Sequence, residues 1–283
     1  METIISVDVQ CTPRLQHGTS ITAREGKTMH ASNFNLEKYL SHIGYSGKVQ
    51  ADLDTLTALM RLQLRKVPFE NLDVQAGQVV SLAPQDIVRK ILVEQRGGYC
   101  YEVNGLFSMA LQEIGIPHFY VAARPMFYAQ RRPKTHMAIV AKLNNELWLC
   151  DLGFGSYGLR QPLNLNSIDF EVKQDQDVYK LSVQLDGEYL LSALVHGQWM
   201  PQYAFDLHSQ EWLDFEPVNY LNSTHPDTIF VRQLLVILQT STGRKILSDR
   251  LLKIWTNGFL TERMLSAHEL SSVLQEEFGL LRT

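Results

Sequence analysis

Cysteine is scarce in this chain of 283 residues: Cys11, Cys100 and Cys150 are the whole complement. Three cysteines cannot build a disulfide framework, and no CxxC pair points to zinc. The histidines lack metal-ligand spacing, so no metal is expected. No apolar run approaches the roughly 20 residues of a membrane span, and Ile4-Ile5-Ser6-Val7 is too short for a secretory signal. A surplus of one charge is also missing. The 26 basic and 30 acidic residues leave a net charge of −4, which gives no electrostatic case for nucleic acid or an anionic membrane. A reducing cytoplasm suits this composition best. What remains, 45% apolar and 20% charged residues, is ordinary for a soluble globular protein with one to three domains.

Residues 1–28 are polar and unlike the rest, and Met29 directly precedes the first helical pattern. They are expected to be a poorly ordered, dispensable extension or to reflect an upstream start, and Cys11 falls within them. Helical spacing prevails from 29 to 115. Leu36, Tyr39-Leu40 and Ile43 form one apolar stripe closed by Gly44; Asp54 is the expected cap of a second helix with Leu56, Leu59-Met60 and Leu64. Val67-Pro68 breaks that helix, and Pro84 opens a third. From about Phe119 the period changes to two. Thr135–Leu143 and Glu146–Asp151 flank Asn144-Asn145, a two-residue hairpin turn. Val178–Leu185, Glu188–Val195 and Gln198–Phe205 continue as an antiparallel meander expected to close into a barrel. Beyond Glu216 a strand pair over Phe230–Gln239 and Lys245–Ile254 is expected. A final helix begins at the capping box Ser266-Ala267-His268-Glu269 and ends near Gly279.

The stretch Arg96-Gly97-Gly98-Tyr99-Cys100 leads into Val103, Leu106-Phe107, Ala110-Leu111 and Ile114, stopped by Gly115 and Pro117. Cys100 therefore stands at a helix N-terminus, where free N–H groups and the helix dipole favour a thiolate. The two glycines are expected to let the chain turn sharply there. A thiolate nucleophile wants an imidazole and a group to orient it. His136 and Asp151 lie on the two arms of the Asn-Asn hairpin. With a two-residue turn, Leu143 faces Glu146 and Asp151 faces Ala138, two residues from His136 and on the same side of the sheet. Such a diagonal pair is roughly 7–8 Å apart at Cα, within side-chain reach. Each of the three also admits a plain packing reading when taken alone; order and parity together point to a Cys–His–Asp triad. Cys150 points to the opposite face, as a core residue, and Glu70 and Arg96 are expected to pair across the nucleophile turn.

The motifs Arg-Gly-Gly-Tyr-Cys-Tyr-Glu-x-Asn-Gly-Leu-Phe (96–107), Pro-Phe-Glu-Asn-Leu (68–72), Thr-His (135–136), Asp-x-Gly-Phe-Gly (151–155), Ser-Thr-His-Pro (223–226) and Glu-Glu-Phe-Gly (276–279) occur in this order. Together they resemble the arylamine N-acetyltransferase family from about residue 30 to 280. The resemblance implies an α+β fold with a papain- or transglutaminase-like Cys-His-Asp arrangement. Its parts are a helical bundle over 29–115 carrying the nucleophile, a β-barrel over 116–215 carrying His and Asp, and an α/β lid over 216–283. It implies Cys100, His136 and Asp151 as the triad, acetyl-CoA as donor, and an arylamine or arylhydrazine acceptor. The resemblance also implies a ping-pong exchange in which the acetyl group passes through an acetyl-cysteine thioester. It further implies Phe69, Tyr101 and Phe205 around the acceptor, and backbone near Thr135, Gly153 and Gly155 facing the coenzyme. Tyr101 stands where many members carry phenylalanine, adding a hydroxyl to the expected acceptor pocket. A cysteine hydrolase with the same triad, an amide synthase of macrocyclic polyketides and an inert acyl-CoA binder are the competing readings.

Overall fold

A computed structural model describes residues 29–155 and 157–280. The expectations for residues 1–28 and for Cys11 lie outside the described residues. Helix α1 (Leu36–Ile43) is capped by Asn35, whose side chain accepts from Lys38 N, and it ends at Gly44 in the left-handed region at φ 75°. Helix α2 (Leu53–Lys66) starts two residues earlier than expected. Asp52, not Asp54, caps it by accepting from Thr55 N, because Asp52 holds the extended backbone that a cap needs. Strand β1 (Phe69–Glu70) and the short helix α3 (Leu72–Gln75) follow. Helix α4 (Pro84–Val88) then runs into a π-helical turn over Arg89–Val93.

Helix α5 (Cys100–Ile114) is the centre of the molecule. Every residue from Cys100 to Leu111 is buried, so the helix is enclosed on all sides rather than amphipathic. It ends at Gly115, φ 81°. A buried polar chain ties it to the other helices: Tyr39 Oη donates to Gln63 Oε1 at 2.8 Å, and Gln63 Nε2 donates to the Val103 carbonyl at 2.8 Å. Burying each Leu or Phe of this helix stabilises the fold by about 1.5–3 kcal/mol relative to exposure.

The next strands are β2 (His118–Pro125), β3 (His136–Leu143), β4 (Glu146–Cys150), β5 (Leu163–Asn164), β6 (Glu171–Gln174), β7 (Asp177–Val183), β8 (Tyr189–Val195) and β9 (Gln198–Phe205). They form an eight-stranded antiparallel sheet in the order β5-β4-β3-β2-β9-β8-β7-β6, a nearly closed barrel. The β3–β4 hairpin has the expected register, Leu143 against Glu146 and Ile139 against Cys150. Both turn residues are left-handed, Asn144 at φ 52° and Asn145 at φ 61°, which is why asparagine serves there.

A 3₁₀ turn over Trp212–Phe215 leads into α6 (Glu216–Thr224), then α7 (Ile229–Arg232). Strands β10 (Leu235–Thr240), β11 (Gly243–Ser248), β12 (Leu251–Thr256) and β13 (Phe259–Met264) precede α8 (Leu270–Phe278). Here the structure departs from the expected strand pair. Residues 229–232 are helical, and the run 245–254 is two strands, split where Asp249 takes φ 53°. The C-terminal sheet is antiparallel, ordered β1-β10-β11-β12-β13, with its first strand supplied by Phe69–Glu70. Glu269 accepts from Ser266 N at 2.8 Å, half of the expected capping box, and α8 begins after it. Among the described residues no helix is long and apolar enough to cross a membrane.

Candidate active site

Strand β1 fixes the turn that presents Cys100. Gly98 N donates to the Pro68 carbonyl at 3.2 Å and Glu70 N donates to the Gly98 carbonyl at 3.0 Å, so the turn docks along β1. A methyl on Gly97 would lie 1.9 Å from the Pro68 oxygen. The two glycines are thus required for close approach, and neither has positive φ. Tyr99 N donates to Glu102 Oε2 at 3.0 Å, which closes the start of α5.

Behind this turn lies a buried charge cluster. Arg96 Nη2 is 2.8 Å from Glu70 Oε1, the expected pair, and 2.8 Å from Asp73 Oδ1. Lys90 Nζ adds contacts of 2.6 Å to Glu102, 2.6 Å to Asp73 and 3.6 Å to Glu70. Burial pushes the Glu102 carboxyl up to about 7 despite the Lys90 ammonium beside it.

Cys100, His136 and Asp151 meet where α5 crosses the β3–β4 hairpin. His136 Nε2 lies 2.7 Å from Asp151 Oδ2, and all three side chains are buried. Cys100 and His136 line the same cavity, with the Cys100 side chain close enough to act on the imidazole. Nε2 is committed to Asp151, which leaves Nδ1 without a partner on that carboxylate. Burial opposes charge on the ring, but the Asp151 carboxylate and the Cys100 contact outweigh it and push the imidazole up to about 10. Burial likewise opposes the Asp151 anion, yet His136 and hydrogen bonds from Gly153 N and Asn104 hold its carboxyl below the usual range. Gly153 N donates to Asp151 Oδ1 at 2.9 Å. Cys150 faces the other way, and burial pushes its thiol up.

A cavity of about 120 Å³ opens onto Cys100 and His136. Its walls are mainly apolar, including Phe69, Phe154, Phe230, Leu235 and Ile237, with Arg132, Asp227, Asn222 and Thr135 among the polar residues. Of the residues expected from sequence, Phe69, Thr135 and Gly153 line it. Tyr101, Phe205 and Gly155 do not. The Tyr101 ring lies 5.3 Å from Tyr99 and 5.7 Å from Phe215, fully buried. Phe205 stacks on Tyr189 and sits behind Tyr203, whose ring is 5.1 Å from His136. Gly155, φ 97°, gives its carbonyl to Gln239 Nε2 at 3.0 Å. Among the described residues no group of His, Cys, Asp and Glu could hold a metal ion.

Sequence reasoning missed three contributors. Phe154 covers the imidazole, its ring 5.1 Å away; its place between two glycines was the available signal. Phe230 lies 6.0 Å from Phe69 across the cavity wall. Asn104, one turn after Cys100, donates to the Met137 carbonyl at 2.8 Å and to Asp151 Oδ1 at 3.2 Å, and accepts from Leu152 N at 2.9 Å. It thereby fastens both arms of the hairpin to the cysteine helix.

The chain matches the N-acetyltransferase family model over residues 52–281. It is 31% identical to the arylamine N-acetyltransferase of Escherichia coli (strain K12), over 87% of this chain and 88% of that one. The arylamine N-acetyltransferase structure from M. tuberculosis superposes with a TM-score of 0.83 at 31% identity, covering 87% of this chain and 94% of the other. The Mycobacterium marinum arylamine N-acetyltransferase in complex with CoA gives a TM-score of 0.82 at 28% identity, covering 87% and 93%. With this likeness running through nearly all of both chains, and an apolar cavity opening onto a cysteine, the chain belongs to the arylamine N-acetyltransferase family of acyltransferases.

Proposed function

We propose that this protein moves an acetyl group from acetyl-CoA to arylamines or arylhydrazines in two steps through an acetyl-Cys100 thioester. The observation that carries the reading is the buried His136–Asp151 pair at 2.7 Å on an apolar, aromatic cavity that Cys100 also lines. His136 takes the thiol proton, and Asp151 orients and stabilises the imidazolium. The sulfur attacks the donor's carbonyl carbon, and backbone N–H groups at the start of α5 face the developing oxyanion. The C–S bond to CoA breaks, and the departing sulfur takes the proton from His136. One thioester replaces another, so the step is nearly balanced in free energy and the acyl group stays activated.

A neutral aniline then attacks the acetyl-cysteine, gives its proton to His136, and leaves as the amide while the cysteine is regenerated. Anilines are largely uncharged at neutral pH, so apolar walls such as Phe69, Phe154 and Phe230 suit them. Phe69 is assigned to the acceptor, and Thr135 and Gly153 to the coenzyme side. A nucleophilic free thiol also suits the reducing cytoplasm expected from composition.

Mixing the protein with acetyl-CoA in the absence of amine tests this. One acetyl mass on Cys100 and slow CoA release that an arylamine accelerates are expected. Rapid release unaffected by amine would mean hydrolysis instead, and Cys100→Ser must abolish the adduct while leaving the fold intact.

A further inference from the structure

Helix α6 carries three buried polar side chains on one face, Asn219, Asn222 and Ser223. All three turn toward the tyrosines on either side of Cys100. Tyr99 Oη donates to Asn219 Oδ1 and lies 3.1 Å from Ser223 Oγ. Tyr101 Oη donates to the Thr135 carbonyl at 2.8 Å; Asn222 Nδ2 donates to the same carbonyl at 3.0 Å and to Tyr101 Oη at 3.2 Å. Thr135 is the residue before His136. One carbonyl oxygen is therefore the junction of the cysteine helix, the histidine strand and α6.

We infer that Asn222 and the Tyr101 hydroxyl are positioning residues that set the distance between Cys100 and His136 through the Thr135 carbonyl. This rests on the roles proposed above for Cys100 and His136. Tyr101 is fully buried and off the cavity, so its hydroxyl, the departure from phenylalanine noted in the sequence, serves this junction and not acceptor recognition. Without either donor the peptide before His136 is freer to shift. Proton sharing between sulfur and nitrogen falls steeply with such a displacement, and a misplacement of about 1 Å can cost roughly a hundredfold. Asp151 is the carboxylate that faces the imidazole. Around the pair, burial pushes the Tyr99, Tyr101 and Tyr203 hydroxyls upward, so they stay protonated.

The test is alkylation of Cys100 by iodoacetamide, without coenzyme, from about pH 6 to about pH 9. It compares the wild-type protein with Tyr101→Phe and Asn222→Leu. The wild type should label rapidly even at the acidic end. Each variant should lose about tenfold there and converge on the wild type at the alkaline end, where a thiol ionises unaided. A merely structural role would lower thermal stability and leave the pH profile of the folded protein unchanged; that result overturns the proposal. Tyr101→Phe removes one oxygen and keeps the ring, so it decides the matter even if Asn222→Leu fails to fold. A wild-type cysteine that labels slowly at the acidic end overturns the nucleophile assignment itself, and this proposal with it.

Discussion

Gly153 passes so close to Cys100 that a methyl group on it would lie 2.4 Å from the Cys100 Cα and 2.9 Å from its Cβ. Both contacts are with atoms that a side-chain rotation cannot move. Gly153→Ala should therefore displace the loop after β4, and with it the N–H that donates to Asp151. Acetyl-enzyme formation should fall by about a hundredfold, while far-ultraviolet dichroism stays native. Wild-type acetylation rates in this variant would show that the loop has slack which the geometry denies.

Asn104 satisfies three polar groups that belong to other elements, so its loss reaches beyond one hydrogen bond. Asn104→Ala leaves the Met137 carbonyl and Leu152 N buried with one partner fewer, at about 1–3 kcal/mol for each group left unsatisfied. Urea unfolding should show that loss, and turnover at a temperature where the variant is folded should also drop. Loss of stability with full turnover would confine Asn104 to holding the fold.

Lys90 is the shared cation of Glu70, Asp73 and Glu102. Removing one partner from a buried ion pair costs about 3–5 kcal/mol, so Lys90→Met should be strongly destabilising. Lys90→Met combined with Glu102→Gln should recover part of the loss, because the second change removes a stranded carboxylate. Additive effects in the chemical denaturation of the two single variants and the pair would contradict this coupling.

The His136 ring gives a pH signature. Its pKa rises from the ordinary 6.5 to about 10 in the folded protein. Between those values the folded state holds a proton that the unfolded state has released. The ring's contribution is therefore fully present below pH 6.5 and is lost as pH rises through about 10. His136→Asn lacks this contribution. The stability gap between wild type and variant should narrow from neutral pH toward pH 10, measured by urea unfolding at each pH. A constant gap across that window would remove the charged imidazole from the folded state.

The hairpin was readable because its chemistry is local. Asn144-Asn145 fixes the turn, the turn fixes the register, and the register puts His136 and Asp151 on one face. The start of α5 was readable for the same reason. The C-terminal strands were less so, since the turn at Asp249 lacks a glycine and residues 245–254 read as one run. Strand β1 spans two residues, and the strand it pairs with, β10, is remote in sequence. Asn104 and Asn222 were invisible as site residues because each acts on the backbone of a segment remote in sequence. Phe205 sits one aromatic layer behind the imidazole, at a depth that alternation along a strand does not specify.

The pairing of β1 with β10 sets Phe69 against Ile237, two walls of one cavity separated by more than half the chain. A ribosome will have extruded the cysteine helix and the whole barrel before the segment that completes this wall exists. The thiol of a nascent chain should accordingly stay inert toward acyl donors until translation is nearly finished. Chains stalled ahead of β10, challenged with acetyl-CoA beside chains stalled after α8, would show when this reactivity switches on.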